Sequence, residues 1–496
     1  MGIDDAAVSL LYFGLTKETV VFYGREEDIA DLMSLWRKPT ASLVTCRGRR
    51  RIGKSTLIEE FARRSKARFI ELAGEAPRKG MTNDDQLKAF GRQLAAYVHE
   101  GTCAAPGDWA AAFRMLDGVI GDGRTLVFLD EISWMGQYAP DFPGDLKTAW
   151  DTRFKKHPRL ILVLCGSVST WIRENILNNT GFVGRASQNC LLRELPLDVC
   201  RKFWRGAAYR VASREIFDVL SVTGGVPRYL EELDPSLSAA ENIRRMCFRA
   251  NSLLRDDFDQ IFNSVFGENA VVKSRILVAL MSGHMTMSEV AAEIGMERGG
   301  LITNHLDELK TAGFVAADDG LNPATGRPAK CTRYRISDNY TRFYLKYILP
   351  FAKMIDEGAY RFVGLDALPG WDAIMGLQFE NLIVNNLSVL LPRLGLDRVL
   401  LKSAAPWRQA ATQRKRGCQI DLLLQSEKGV VVVEVKRRKE IGIDIEAEIA
   451  AKVKALAVPR DVSVRTALVY EGHLSSAVGT SGYLDFIIPA SDLLNA

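Results

Sequence analysis

The stretch that most constrains this chain is Gly48-Arg49-Arg50-Arg51-Ile52-Gly53-Lys54-Ser55, between the apolar run ASLVT and the helix-like TLIEEFARR. It fits G-x-x-x-x-G-K-[ST], with strand, loop and helix in the order that pattern requires. The backbone N–H groups of such a loop form an anion-binding nest at a helix N-terminus. On this reading Gly48 to Thr56 wrap phosphates, Lys54 neutralises the β/γ-phosphates and the Ser55 hydroxyl ligates Mg²⁺. The pattern does not demand three consecutive arginines. Arg49, Arg50 and Arg51 either touch phosphate, meet a partner domain or form a solvated basic turn.

A second element agrees with the first. The apolar strand in TLVFLDEISWM ends on Asp130-Glu131. An open α/β sheet binds its ligand at the carboxyl ends of its strands. There Asp130 is expected to hold Mg²⁺ through water, and Glu131 to position the attacking water. The run LILVLCGSVS ends on Ser167 and Ser169, which serve as γ-phosphate sensors or as plain strand-to-turn serines. Arg185, in NNTGFVGRAS, either supplies transition-state charge or sits on a surface loop. Together these residues predict ATP binding and hydrolysis with Mg²⁺.

Size leaves room for more. At roughly 150 residues per domain, 496 residues allow about three domains. With 47% hydrophobic and 25% charged residues, extensive disorder is excluded. A net charge of +5 is weak support for a polyanionic partner, so local clusters must decide that. Eight cysteines and five histidines are scattered singly, which argues against zinc and disulfides and for a reducing, cytoplasmic setting. The start MGIDDAAVSL lacks signal-peptide character, and the longest apolar run falls well short of the ~20 residues of a membrane span. A soluble protein with no membrane partner is expected.

Pattern divides the chain into five segments: an α/β core over 20–197, helices over 198–266, a third unit over 267–345, a helical connector over 346–373 and a final unit over 374–496. In the third, three helix-spaced segments precede the strand-like FVAAD and TRYRIS, the order of a winged helix. Arg298, Thr303, Asn304 and His305 stand where base edges would be read, and Arg327 and Lys330 where phosphate would be met. Asp307 and Glu308 make that helix less basic than a strong DNA reader, so a protein partner is the alternative. In the last unit Asp421 opens IDLLL, and Glu434 and Lys436 share one face of VVVVEVK. Burying such groups is costly unless they bind something. Glu380 lies on or beside the apolar face of LQFENLIVNNLSVL, and the basic run RQAATQRKRG precedes Asp421.

The ordered set FYGREEDIADL, GRRRIGKSTLIEEF, FLDEISWM, CGSVSTW, VGR and GGVPRYL resembles the archaeal-type ATPases, a P-loop group related to AAA+ and STAND proteins. The resemblance spans roughly residues 20–350. It implies a P-loop NTPase parallel sheet with a helical lid and a winged-helix domain. It also implies Tyr23, Gly24 and Arg25 beside the adenine, a lid turn at Gly224, Gly225 and Pro227, and Arg228 as a sensor. The last unit resembles the PD-(D/E)XK, restriction-endonuclease-like α/β fold. That resemblance implies Asp421, Glu434 and Glu380 as Mg²⁺ ligands and Lys436 as the group acting on water and phosphate. The proline of the motif is absent, since Gln419 and Ile420 precede Asp421. The expectation is an ATP-hydrolysing protein that acts on or regulates DNA or RNA with a Mg²⁺-dependent nuclease-like module, with a homo-oligomer as one candidate assembly. The alternatives are a STAND-type signalling switch or a winged-helix transcription regulator, with the last unit an inactive scaffold.

Overall fold

The computed structural model describes residues 22–98, 105–167, 169–207, 210–329, 331–410, 417–427, 429–456 and 458–495. Lys330, the side chain of Ser169 and residues 411–416 of the basic run lie outside them.

Five parallel strands build the first sheet: β1 (Ser42–Gly48), β2 (Arg68–Ala73), β3 (Thr125–Asp130), β4 (Leu160–Gly166) and β5 (Ala186–Leu192), in the order β2-β3-β4-β1-β5. Strand β4 is buried along its whole length, as a strand covered on both faces must be, and its sequence is therefore a continuous apolar run. The edge strands β2 and β5 alternate instead (RFIELA, ASQNCLL), and no apolar run announces them. Because β1 lies between β4 and β5, the chain's crossovers diverge at its carboxyl end. That is where an open sheet takes a ligand.

Downstream, the helices Ala270–Ala279, Met287–Glu293 and Gly300–Thr311 pack beside a three-stranded sheet. Its strands are β6 (Met285–Thr286), β7 (Val315–Asp318) and β8 (Arg333–Ile336), in the order β6-β8-β7 and antiparallel. A second five-stranded sheet closes the chain: β9 (Leu401–Gln409), β10 (Cys418–Ser426), β11 (Gly429–Ile441), β12 (Val464–Leu474) and β13 (Phe486–Pro489). Its order is β13-β12-β11-β10-β9, antiparallel from β9 to β11 and parallel from β11 to β13. The helix Asp444–Ala455 makes the crossover between the parallel strands β11 and β12.

One continuous apolar cluster runs from Leu195 to Leu494. It draws on the helices after β5, the three-helix unit and the last sheet alike, so the expected boundaries at 266, 345 and 373 are not breaks in the core. The segment expected to be a connector, 346–373, is part of that core through Tyr347, Ile348, Ile355, Leu365 and Leu368. Just before it, Tyr340, Phe343 and Tyr344 are fully buried, and Tyr344 stacks on Phe258 with ring centroids 4.5 Å apart. Among the described residues no single helix is long and apolar enough to cross a membrane.

Candidate functional site

The loop after β1 turns back tightly. At Gly48 (φ 153°) a Cβ would stand 2.5 Å from the carbonyl oxygen of Leu192, so the loop can approach β5 only without a side chain. Arg51 (φ 70°) and Gly53 (φ 85°) are left-handed, and helix Lys54–Ser65 starts at once. Left-handed residues of this kind build anion nests, and a non-glycine held there marks strain retained for function. Lys54 is buried, its Nζ donating to the carbonyls of Gly48 (3.1 Å) and Arg49 (3.0 Å).

The carboxylates arrive from β3. Ser55 Oγ donates to Asp130 Oδ2 (2.8 Å), and Asp130 Oδ1 accepts the N–H of Glu131 (2.8 Å). Glu131 is itself left-handed (φ 46°). Its Oε2 accepts from both the backbone N–H (3.2 Å) and the hydroxyl (2.9 Å) of Ser167, at the end of β4. Three adjacent strands thus fix one chain of bonds, Ser55–Asp130–Glu131–Ser167. The Ser55 hydroxyl and Asp130 carboxylate are the hard oxygen donors that Mg²⁺ takes, so this donor set fits the ion.

A cavity of about 400 Å³ opens over the loop, a volume suited to a small-molecule ligand. Arg50 to Thr56 and Glu131 line it, as do Phe22, Tyr23, Arg25, Leu195 and Phe203. Tyr23 and Phe203 meet edge to face at 4.9 Å. The lid turn closes one side: Pro227, Arg228 and Glu231 line the cavity, and Arg228 N–H donates to Arg51 O (3.4 Å). The turn's glycine is obligatory, because a Cβ on Gly225 would lie 2.2 Å from Leu195 O. Arg185 is not brought here. Its guanidinium is clamped on Asp151 by two bonds of 2.9 and 2.8 Å, and it does not line the cavity.

With this geometry in view, residues 22–233 match the family described as an ATPase domain predominantly from Archaea. Over these residues, less than half of its length, the chain is similar to an archaeal-type ATPase domain. The solved Walker-type ATPase of Pyrococcus abyssi superposes with a TM-score of 0.50 at 17% identity, covering 65% of this chain and 96% of that one, a likeness of fold. An uncharacterized protein of Methanocaldococcus jannaschii is 25% identical over 419 residues, 84% of this chain and 87% of its own.

The three arginines of the ATPase loop take three different routes. Arg49 leaves the cavity: its side chain is 7% exposed, 2.6 Å from Asp338 Oδ1 and 3.7 Å from Glu194, with Phe314 beneath it at 5.4 Å. Burial opposes its charge, but Asp338, Tyr229 and Glu194 overcome that and hold it protonated. Arg51 reaches Asp257 on helix Leu253–Phe266 (2.8 Å), and the other oxygen of Asp257 accepts the Tyr229 hydroxyl (2.7 Å). Arg50 stays in the cavity, 5.1 Å above the Trp134 ring, its Nε 3.4 Å from Ser167 Oγ. Of the readings the sequence left open, the partner-domain one therefore describes Arg49 and Arg51.

On helix Gly300–Thr311, Thr303 and Asn304 are exposed, as are Arg298 and Arg327. His305 is not. It falls on the stripe of Ile302, Leu306 and Leu309 and is buried, its Nδ1 3.2 Å from Lys273 Nζ, so it cannot reach a base edge. Arg173 of the ATPase domain holds the same helix through Thr311 (3.0 Å) and Asp307 (3.2 Å).

The last sheet brings its acids together. Asp421 on β10 accepts Val435 N–H (2.8 Å), and Glu434 on β11 is wholly buried. Burial first, and Glu380 second, push Asp421 up to about 6. Burial and Asp421 push Glu434 up to about 7, and burial and Glu434 raise Glu380. Two lysines answer this charge. Lys436 Nζ lies 2.6 Å from Glu434, and Lys452, from helix Asp444–Ala455, lies 2.6 Å from both its oxygens. Among the described residues no group of three or more His, Cys, Asp or Glu is arranged to hold a metal ion. Glu380, Asp421 and Glu434 converge, but as arranged they do not fit a divalent ion, because ammonium groups hold Glu434. Lys452 was illegible as a site residue: one turn beyond Glu448 (3.6 Å), it reads as a solvated i,i+4 partner.

Proposed function

We propose that this chain binds and hydrolyses ATP with Mg²⁺ at Gly48–Thr56, and that its nucleotide state governs a C-terminal body that handles nucleic acid. The observation that carries the first part is the bonded chain Ser55–Asp130–Glu131–Ser167 at the phosphate loop. Lys54 exchanges its two carbonyl bonds for β/γ-phosphate oxygens, and Glu131 accepts a hydrogen bond from the attacking water. Mg²⁺ held by Ser55 and Asp130 would neutralise charge on the same phosphates. Phe22, Tyr23 and Phe203 give the base an apolar wall. ATP turnover by the purified chain, dependent on Mg²⁺ and lost on chelation, tests this part.

The nucleic-acid part is supported by three helices followed by an antiparallel pair, with Arg298, Thr303, Asn304 and Arg327 exposed along them. Arg327→Ala should lower affinity about equally on all DNA sequences and flatten the salt dependence, whereas Asn304→Ala should alter sequence preference. Binding isotherms at several salt concentrations measure both. Unchanged affinity in both variants would point to a protein partner for this surface.

The order β13-β12-β11-β10-β9 and the approach of Lys436 to Glu434, with Asp421 on the neighbouring strand, support a nuclease-like reading and contact with a phosphodiester backbone. The two lysines on Glu434 favour a second reading for this sheet alone, a scaffold that binds without cutting. Because its core is shared with 198–373, the full chain is the specimen to test. Mn²⁺ should leave the wild-type thermal midpoint unmoved, while Lys452→Ala removes one of the two ammonium groups on Glu434 and should let the ion raise it. Metal-dependent cleavage by the wild type, abolished in Glu434→Ala, would instead establish a live nuclease.

A further inference from the structure

The ATPase reaction needs positive charge on the departing γ-phosphoryl group beyond that of Lys54, and Arg185 is held elsewhere. The attacking water forms a bond to Pγ while the bond from Pγ to the β,γ-bridging oxygen breaks. That electron pair leaves with ADP, and the water's proton ends on the phosphate product. Charge then spreads over the three equatorial oxygens of the transferring group, where a guanidinium acts best. Arg49 and the arginines other than Arg50 that line the cavity are committed. Arg49 is on Asp338, Arg51 on Asp257 and Arg228 on Glu231 and Glu232, while Arg25 donates to the carbonyls of Ile52 and Arg193.

Resting on the proposed ATPase reaction, we infer that Arg50 is the catalytic cation, supplied by the phosphate loop itself to the γ-phosphoryl group in the transition state. It lines the cavity, and it has no carboxylate partner among the described residues. Stacking on Trp134 at 5.1 Å fixes the plane of its guanidinium, which a lysine could not reproduce. Its Nε reaches Ser167 Oγ (3.4 Å), which donates to Glu131 Oε2 (2.9 Å). The cation and the water-orienting carboxylate therefore share one serine. Movement of that serine with phosphate would position both together. The loop thus carries its own arginine finger, and two further arginines fasten it to the C-terminal body.

Three measurements on the full chain test this: affinity for a fluorescent ATP analogue with Mg²⁺, single-turnover hydrolysis of ATP, and affinity for ADP with aluminium fluoride. Arg50→Ala should keep ATP affinity within about threefold, slow hydrolysis by ~100-fold or more and lose the tighter binding of ADP with aluminium fluoride over ADP alone. Arg50→Lys should recover only part of the rate. Hydrolysis by Arg50→Ala at the wild-type rate overturns the assignment. So does a loss of ATP affinity as large as the loss of rate, which would make Arg50 a ground-state contact. A wild type that binds ATP without turning it over overturns the proposed function itself, a result separate from an active wild type matched by an active Arg50→Ala.

Discussion

Lys54→Ala should abolish ATP hydrolysis and weaken nucleotide binding on the order of 100-fold or more, because the β/γ-phosphates lose their principal cation. The structure adds a reason why the flanking loop arginines Arg49 and Arg51 do not substitute. Lys54 is buried under the loop, and Arg49 and Arg51 are tied to Asp338 and Asp257. Glu131→Gln should separate binding from chemistry. The amide keeps the size of the side chain and can still accept from Ser167, so ATP should bind with near-normal affinity. An amide oxygen is a far weaker acceptor for the attacking water, and turnover should fall by roughly 10²–10³-fold. Nucleotide titration and single-turnover kinetics on the two variants read these effects separately. Normal turnover by Glu131→Gln would make Glu131 a structural acid that merely caps Ser167.

How much of this was legible follows from how local each constraint is. The phosphate loop and Asp130-Glu131 could be read directly, because nest, lysine, hydroxyl and paired acids must be contiguous to work. Strands β2 and β5 could not, since an edge strand needs no continuous apolar run. The helical connector of 346–373 packs Tyr347, Ile348, Ile355, Leu365 and Leu368 into the core, and the elements they meet lie too far along the chain for local spacing to announce that burial. His305 was misplaced because its neighbours on the helix, not its own chemistry, decide which way it points. Strand alternation put Glu434 and Lys436 on one face of β11, where Lys436 Nζ lies 2.6 Å from Glu434. Lys452 escaped because a lysine one helical turn from a glutamate usually has no further role. The partners of the loop arginines were out of reach because they lie far along the chain: Asp257 within a helix, Phe314 just before β7 and Asp338 at a helix cap. No spacing rule connects them to Gly48.

That distance gives the Arg49 contact its largest consequence. Arg49→Ala should lower stability by roughly 3–5 kcal/mol, the cost of leaving a buried charge without its partner. Asp338 is 0% exposed, and its other oxygen also caps helix Asn339–Phe343 by accepting the N–H of Thr341 (3.0 Å). Removing the guanidinium therefore strands a carboxylate that the helix still requires. Asp338→Asn keeps an oxygen for the cap but removes the charge, so its cost should be smaller when made in Arg49→Ala than in the wild type. Glu194 adds a pH signature. Burial, and Asp338 after it, raise its carboxyl to about 7, while Arg49 pulls it down. An acid whose folded pKa is raised binds more protons folded than unfolded, so its contribution is full below the unfolded value near 4.5. It is lost as pH rises through about 7. Without Arg49 that folded value moves higher, and stability should fall more steeply with pH across and above this window. Calorimetric midpoints from pH 5 to 8 for the wild type, Arg49→Ala, Asp338→Asn and the double variant measure the coupling. Additive losses with an unchanged pH slope would mean that the two residues hold their segments independently. Non-additive losses with a steeper slope would make this pair the physical tie between the phosphate loop and the C-terminal body.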